Sequence, residues 1–113
     1  MELELSRHIA QAASEKKARD IIILDMEGIS LVTDYFLICS APSTTQVKAI
    51  ADNIEEKLQE QGVQLLHKEG YQAAHWILLD YGHCVVHIFV EEDRRFYNLE
   101  QLWGDAPTVT YED

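Results

Sequence analysis

The spacing of apolar and polar positions changes several times along the chain, and each change marks an element. Over residues 2–18, Leu5, Ile9, Ala12 and Ala13 fall near one helical face, and Glu15, Lys16 and Lys17 are polar on the way out. DIIILDM (20–26) and DYFLICSA (34–41) are near-continuous apolar runs of strand length, the pattern of strands buried on both faces. Gly28 and Ser30 mark a turn between them. In APSTTQVKAIADNIEEKLQEQG (41–62) the helical period returns with Val47, Ile50, Ala51, Ile54 and Leu58. Ser43 and Gln46 are spaced as a capping box, each side chain serving the other's backbone N–H, and Gly62 is a C-terminal stop. VQLLHKEG (63–70) is a more polar strand at or near a sheet edge. EEDRRFYNLEQLWG (91–104) predicts a last helix, with Glu91, Glu92 and Asp93 at its positive end. Phe96, Leu99, Leu102 and Trp103 form its apolar face, and Gly104 with Pro107 ends it.

The stretch HWILLDYGHCVVHIF (75–89) holds most of the unusual side chains. Gly82-His83 between Tyr81 and Cys84 has glycine first, the signature of a type II′ hairpin. That turn pairs Asp80 with Val85, Leu78 with His87 and Trp76 with Phe89. Paired residues share a face, and faces alternate along a strand. One face is therefore Ile77, Leu79, Tyr81, Cys84, Val86 and Ile88, which must be core. The other is Trp76, Leu78, Asp80, Val85, His87 and Phe89, with two large aromatics, an acid and a histidine.

The elements run α-β-β-α-β-β-β-α, which predicts an α/β fold with a mixed five-stranded sheet and helices packed on it. With 113 residues, 47 % of them hydrophobic, the chain suits one domain, assigned to 1–107, followed by an acidic, flexible tail at 108–113. No apolar run approaches the roughly 20 residues of a membrane-spanning helix, and the N-terminus carries no targeting pattern. Cys39 and Cys84 both sit in apolar runs and read as buried thiols in a reducing cytoplasm. The net charge of -11, from 20 acidic and 9 basic residues, repels bare phosphate backbones and anionic membranes and favours a basic partner.

Chemistry at the hairpin is restricted. Cys84 and His87 have a C-x-x-H spacing, but residues three apart on a strand face opposite ways and cannot share an ion, so no metal is expected. His67, His75 and His83 have no ligand spacing. Asp80 and His87 are diagonal neighbours, as a base and its orienter would be, yet that face has no Ser or Cys nucleophile. No glycine-rich phosphate loop occurs, and metal-assisted transfer needs more carboxylates than Asp80 alone. The expectation is a protein without catalytic residues or cofactor. The mixed face then reads either as a binding surface, with Trp76 as its aromatic anchor, or as a face covered by a helix of the same chain.

Three blocks together resemble one family: TDYFLICSAPSTTQVKAIADNI (33–54), WILLDYGHCVVHIF (76–89) and RRFYNLEQLWGDAP (94–107), with DIIILDM and Glu69-Gly70 between them. The chain is similar to the Iojap family, the ribosomal silencing factors called RsfS. The resemblance implies a nucleotidyltransferase-like fold that has lost catalysis. It implies a bacterial cytoplasmic protein that binds the large ribosomal subunit through ribosomal protein number fourteen and blocks small-subunit joining when nutrients are scarce. The alternatives are a large-subunit assembly factor and a residual nucleotidyltransferase. By motif, the partner-contacting residues are Glu69, Trp76, Asp80, His87 and Tyr97, with Lys48 of Q-V-K-A-I-A added. A homodimer through the aromatic face, when the ribosome is absent, is a further expectation. Two positions depart from the family pattern. Ala41 stands where the family has Gly, and His83 stands where it has Asp.

Overall fold

The structure, a computed structural model, describes residues 2–31, 33–98 and 106–109. Its elements are α1 (Glu2–Glu15), β1 (Arg19–Asp25), β2 (Tyr35–Ala41), α2 (Thr44–Glu60), β3 (His67–Glu69), β4 (Trp76–Asp80), β5 (Cys84–Val90), α3 (Glu91–Tyr97) and β6 (Thr108–Val109). The sheet order is β3-β4-β5-β2-β1-β6. β2 and β5 are parallel, and the other pairs are antiparallel. The five expected strands are thus present in a mixed sheet. A sixth, two-residue strand pairs Thr108 and Val109 with Leu24 and Ile23, so the first two residues of the expected loose tail belong to the sheet edge.

The two sheet faces are finished differently. α1 and α2 cover one, where Ile9, Ala13, Val47, Ile50, Ile54 and Leu58 pack on Leu37, Cys39, Ile77, Leu79, Val86 and Ile88. The other carries a smaller cluster of Leu24, Met26, Ile38, Phe89 and Ala106, with Ile22, Phe36 and Trp76 half-buried against it. No helix of the described residues is long and apolar enough to cross a membrane.

Local chemistry explains the boundaries. Ser43 Oγ accepts from Gln46 N at 3.2 Å, but the Gln46 side chain does not return the bond as the capping box predicted. Its Nε2 instead donates to the Lys16 and Lys17 carbonyls, which follow the end of α1. Buried Asn53 joins the same two helices, donating to Ala12 O and to Glu15 Oε1. At the other end of α2, Gly62 (φ +77) donates to Gln59 O and Val63 to Leu58 O, the paired bonds of a Schellman motif. α3 ends sooner than its apolar periodicity suggested. Asn98 takes a left-handed φ of 47° and closes it after Tyr97. Leu99, Leu102, Trp103 and Gly104, and the side chains of Phe96 and Tyr97, lie outside the described residues. Ala41, at the family's glycine position, stays in the extended strand opposite Val90 and needs no left-handed backbone.

Candidate functional site

The hairpin has the predicted register: Trp76 opposite Phe89, Leu78 opposite His87, Asp80 opposite Val85. Gly82 has φ +88, and Tyr81 N donates to Cys84 O at 3.0 Å across the turn. The Asp80 carboxylate turns into this loop and accepts from Gly82 N at 2.8 Å. It therefore caps the turn, and its diagonal neighbour His87 makes a different bond. His83 pairs with Asp34 at 2.9 Å, linking the turn to the start of β2.

On the face opposite the long helices, the Trp76 indole is held from two sides. Its ring stacks on Phe89 with centroids 4.9 Å apart, and its Nε1 donates to His87 Nδ1 at 3.1 Å. His87 also meets the edge of Phe36 at 4.8 Å. A ring that accepts at Nδ1 and stays neutral carries its proton on Nε2. Burial enforces that state: His87 is 5 % exposed, and desolvation pushes its pKa down to about 4. His87 Nε2 itself is buried, with no hydrogen-bond partner among the described residues. Trp76 is half-exposed above this base, whereas Phe89 is fully buried. The sequence reading set His87 and Phe89 on the same surface as Trp76; the structure buries both beneath the indole, where they aim it.

Glu69 pairs opposite Leu78, so it projects on the Trp76 face at the exposed sheet edge, 3.3 Å from His67. Glu69, Trp76, Asp80 and His87 thus share one face. Lys48 does not join them. It rises from α2 on the other side of the sheet, with Nζ 5.4 Å from the Tyr71 ring centroid. Lys68 lies over the same ring at 4.7 Å and pairs with Glu55, while Tyr71 Oη donates to Asp52. This cluster braces the short β3 strand and its following turn against α2. Tyr97 closes α3, and its side chain lies outside the described residues. Cys84 and His87 face opposite ways, as strand alternation required.

One residue that shapes the site was not singled out from the sequence. Gly70 has φ +80, and a Cβ there would overlap the Trp76 carbonyl oxygen. The Glu69-Gly70 pair therefore lets the turn back onto the main chain of Trp76 itself. Beyond its place in the Glu69-Gly70 pair of the family resemblance, its local signal was a small residue directly after an edge strand.

Comparison with known proteins places these features in a family. The family model described as "Ribosomal silencing factor during starvation", RsfS, matches residues 2–113. A ribosomal silencing factor of Bacillus subtilis is 54 % identical over 98 residues, covering 87 % of this chain and 83 % of the relative. One from Halalkalibacterium halodurans is 49 % identical over 109 residues, covering 96 % and 93 %. A crystal structure of a Bacillus halodurans protein superposes with a TM-score of 0.86 at 45 % identity, covering 96 % of this chain and 99 % of that one.

Proposed function

The chain belongs to the RsfS family of ribosomal silencing factors, and on that premise we propose that it represses translation in the bacterial cytoplasm by docking on the large ribosomal subunit and blocking small-subunit joining. The contact on the subunit is ribosomal protein number fourteen, and the docking surface is the Trp76 face. The observation that carries this reading is the fixed indole. Trp76 stands half-exposed on the sheet face away from α1 and α2, oriented by His87 and stacked on Phe89. An aromatic side chain already held in place loses little entropy on binding and buries a large area, as a hot-spot residue does. Glu69 flanks it with negative charge at the sheet edge, and the net charge of -11 draws the chain toward a basic ribosomal protein. In this reading Trp76, Glu69 and Tyr97 touch the partner. His87 and Asp80 position the surface, and Lys48 stays outside it. The mode of action is occupation of a surface, with no catalytic step.

The test is co-sedimentation with purified large subunits, followed by addition of small subunits to score joining. Truncating a central aromatic anchor costs at least about 2 kcal/mol, so Trp76→Ala is expected to weaken binding roughly 30-fold and to relieve the block on joining. The variant's fold is checked by its urea unfolding midpoint. Equal binding by wild type and a folded Trp76→Ala would move the interface elsewhere. Association with precursor subunits alone would favour a role in assembly.

A further inference from the structure

A second site lies at the carboxyl ends of the parallel pair β2 and β5. A cleft of about 470 Å³ opens there, lined by Asp20, Ser40, Glu91, Arg94, Arg95 and Asn98. Its wall is built from positions far apart in sequence. β1 carries an irregularity between Arg19 and Ile22, and Asp20 within it takes a left-handed φ of 51°. Such a bulge re-aims the side chains beside it, and bulges concentrate next to functional sites. Arg94 is 9 % exposed, and its Nη1 donates to Ser40 Oγ at 3.1 Å and to Arg19 O at 3.4 Å. Arg19 in turn pairs with Glu91 at 2.8 Å. Exposed Arg95 completes the lining.

The charge here runs against the rest of the molecule. Two of the chain's four arginines, Arg94 and Arg95, line this cleft and a third, Arg19, pairs with its Glu91, although acids outnumber bases 20 to 9 overall. Among the described residues, the acids of the wall are Asp20 and Glu91, and Glu91 is paired with Arg19. A guanidinium fork matches the paired oxygens of a phosphate or carboxylate better than an ammonium does. Among the described residues, those that line the cleft are all polar or charged. Asp20 and Asn98 bring a carboxylate and an amide to the same lining, groups suited to the hydroxyls of a sugar.

We propose that this arginine cleft binds the phosphate of a sugar phosphate, with Arg95 and Arg94 on the phosphoryl oxygens and Asp20 and Asn98 on the sugar hydroxyls. The ligand unit is a ribose phosphate, whether free in solution or within an RNA backbone. The cleft is distinct from the Trp76 surface yet in line with it. Trp76, Phe89, Ser40 and Arg19 are successive partners across β4, β5, β2 and β1, so Ser40 lies two strand spacings, roughly 10 Å, from Trp76. The inference rests on the cleft alone and survives failure of the ribosomal reading.

The experiment is a titration of the full chain followed by backbone amide NMR. Ribose 5-phosphate, ribose and a short single-stranded RNA are added separately to wild type, Arg95→Ala and the exposed α1 control Arg7→Ala. Amides of Asp20, Ser40 and Asn98 are expected to shift saturably with ribose 5-phosphate and not with ribose. Affinity should fall roughly tenfold in Arg95→Ala and hold in Arg7→Ala. Tighter, salt-dependent binding of the RNA, lost in the same variant, would uphold the site and assign the ligand to a polymer. Absence of shifts at these amides up to roughly 10 mM with either phosphate ligand, or equal affinity in Arg95→Ala, would overturn it.

Discussion

Alanine substitutions at Gly70 and Gly62 form a matched pair that isolates one contact. Gly70 has φ +80 and Gly62 has φ +77, so each alanine incurs the same left-handed backbone cost, about 1–2 kcal/mol. Their surroundings differ. A Cβ at Gly62 would meet nothing within 4 Å, whereas one at Gly70 would overlap the Trp76 carbonyl oxygen and lie 3.2 Å from its carbonyl carbon. Both obstacles are main chain and cannot swing away. Relief requires shifting the start of β4, which Val90 N holds through His75 O at 3.0 Å and the β4–β5 ladder holds beyond. Forcing such a shift costs about 1–3 kcal/mol more. Gly62→Ala should therefore lose about 1–2 kcal/mol and Gly70→Ala about 2–5 kcal/mol, the second shifting Tm down by at least roughly 4 °C more than the first. Urea unfolding of the two variants and wild type at one pH measures both losses. Since the shifted atoms belong to Trp76, Gly70→Ala should also weaken large-subunit binding under conditions where it remains folded. Equal losses in the two variants would refute the steric account and leave Gly70 as an ordinary turn glycine.

Two further outcomes follow from burial. The folded pKa of His87 is pushed below the ordinary 6.5 to about 4, so between those values the unfolded chain binds a proton that the folded chain refuses. Stability is full above about pH 6.5 and falls by about 3 kcal/mol as pH drops toward 4. Urea midpoints at pH 7 and pH 4.5 should diverge less in His87→Asn than in wild type, and an unchanged divergence would remove His87 as the cause. Cys39 and Cys84 are buried thiols whose pKa values desolvation pushes up to about 12, so neither should react with a disulfide reagent at pH 8 until urea unfolds the chain. Rapid labelling of the native protein would contradict their burial.

The hairpin was legible in the sequence because two local signals agree there. A glycine in the first loop position sets the turn, and strict alternation sets which side chains share a face. Together they give the register that joins Trp76 to Phe89. Alternation says nothing about what covers a face, and there the sequence reading fell short. His87 and Phe89 carry the same pattern as Trp76, but Phe36 and Ile38, about 50 residues earlier in the chain, help to bury them. Gln46 failed as a capping-box partner for a similar reason. The nearby end of α1 offered it two carbonyls, and no local motif encodes that competition. β6 was hidden because two residues are too few to show a period.

The arginine cleft was the least legible feature, and the reason bears on how the two sites relate. Asp20 reads as the edge of an apolar run, Ser40 as part of another, and Arg94 and Arg95 as polar helix positions. Only the bulge in β1 and the parallel pairing of β2 with β5 bring them together. The same parallel pairing puts Phe89 beside Ser40, and so sets the base of Trp76 next to the wall of the cleft. A shift of β5 against β2 would therefore disturb both at once. A ligand that orders the cleft, bridging Arg94 to Asp20, would stiffen the strand pair on which the indole is aimed. Large-subunit affinity of wild type measured across a series of ribose 5-phosphate concentrations reads that coupling, and in Arg95→Ala any change should need roughly tenfold more ribose 5-phosphate while basal binding stays intact. A change in affinity with the same concentration dependence in Arg95→Ala would place its origin outside the cleft.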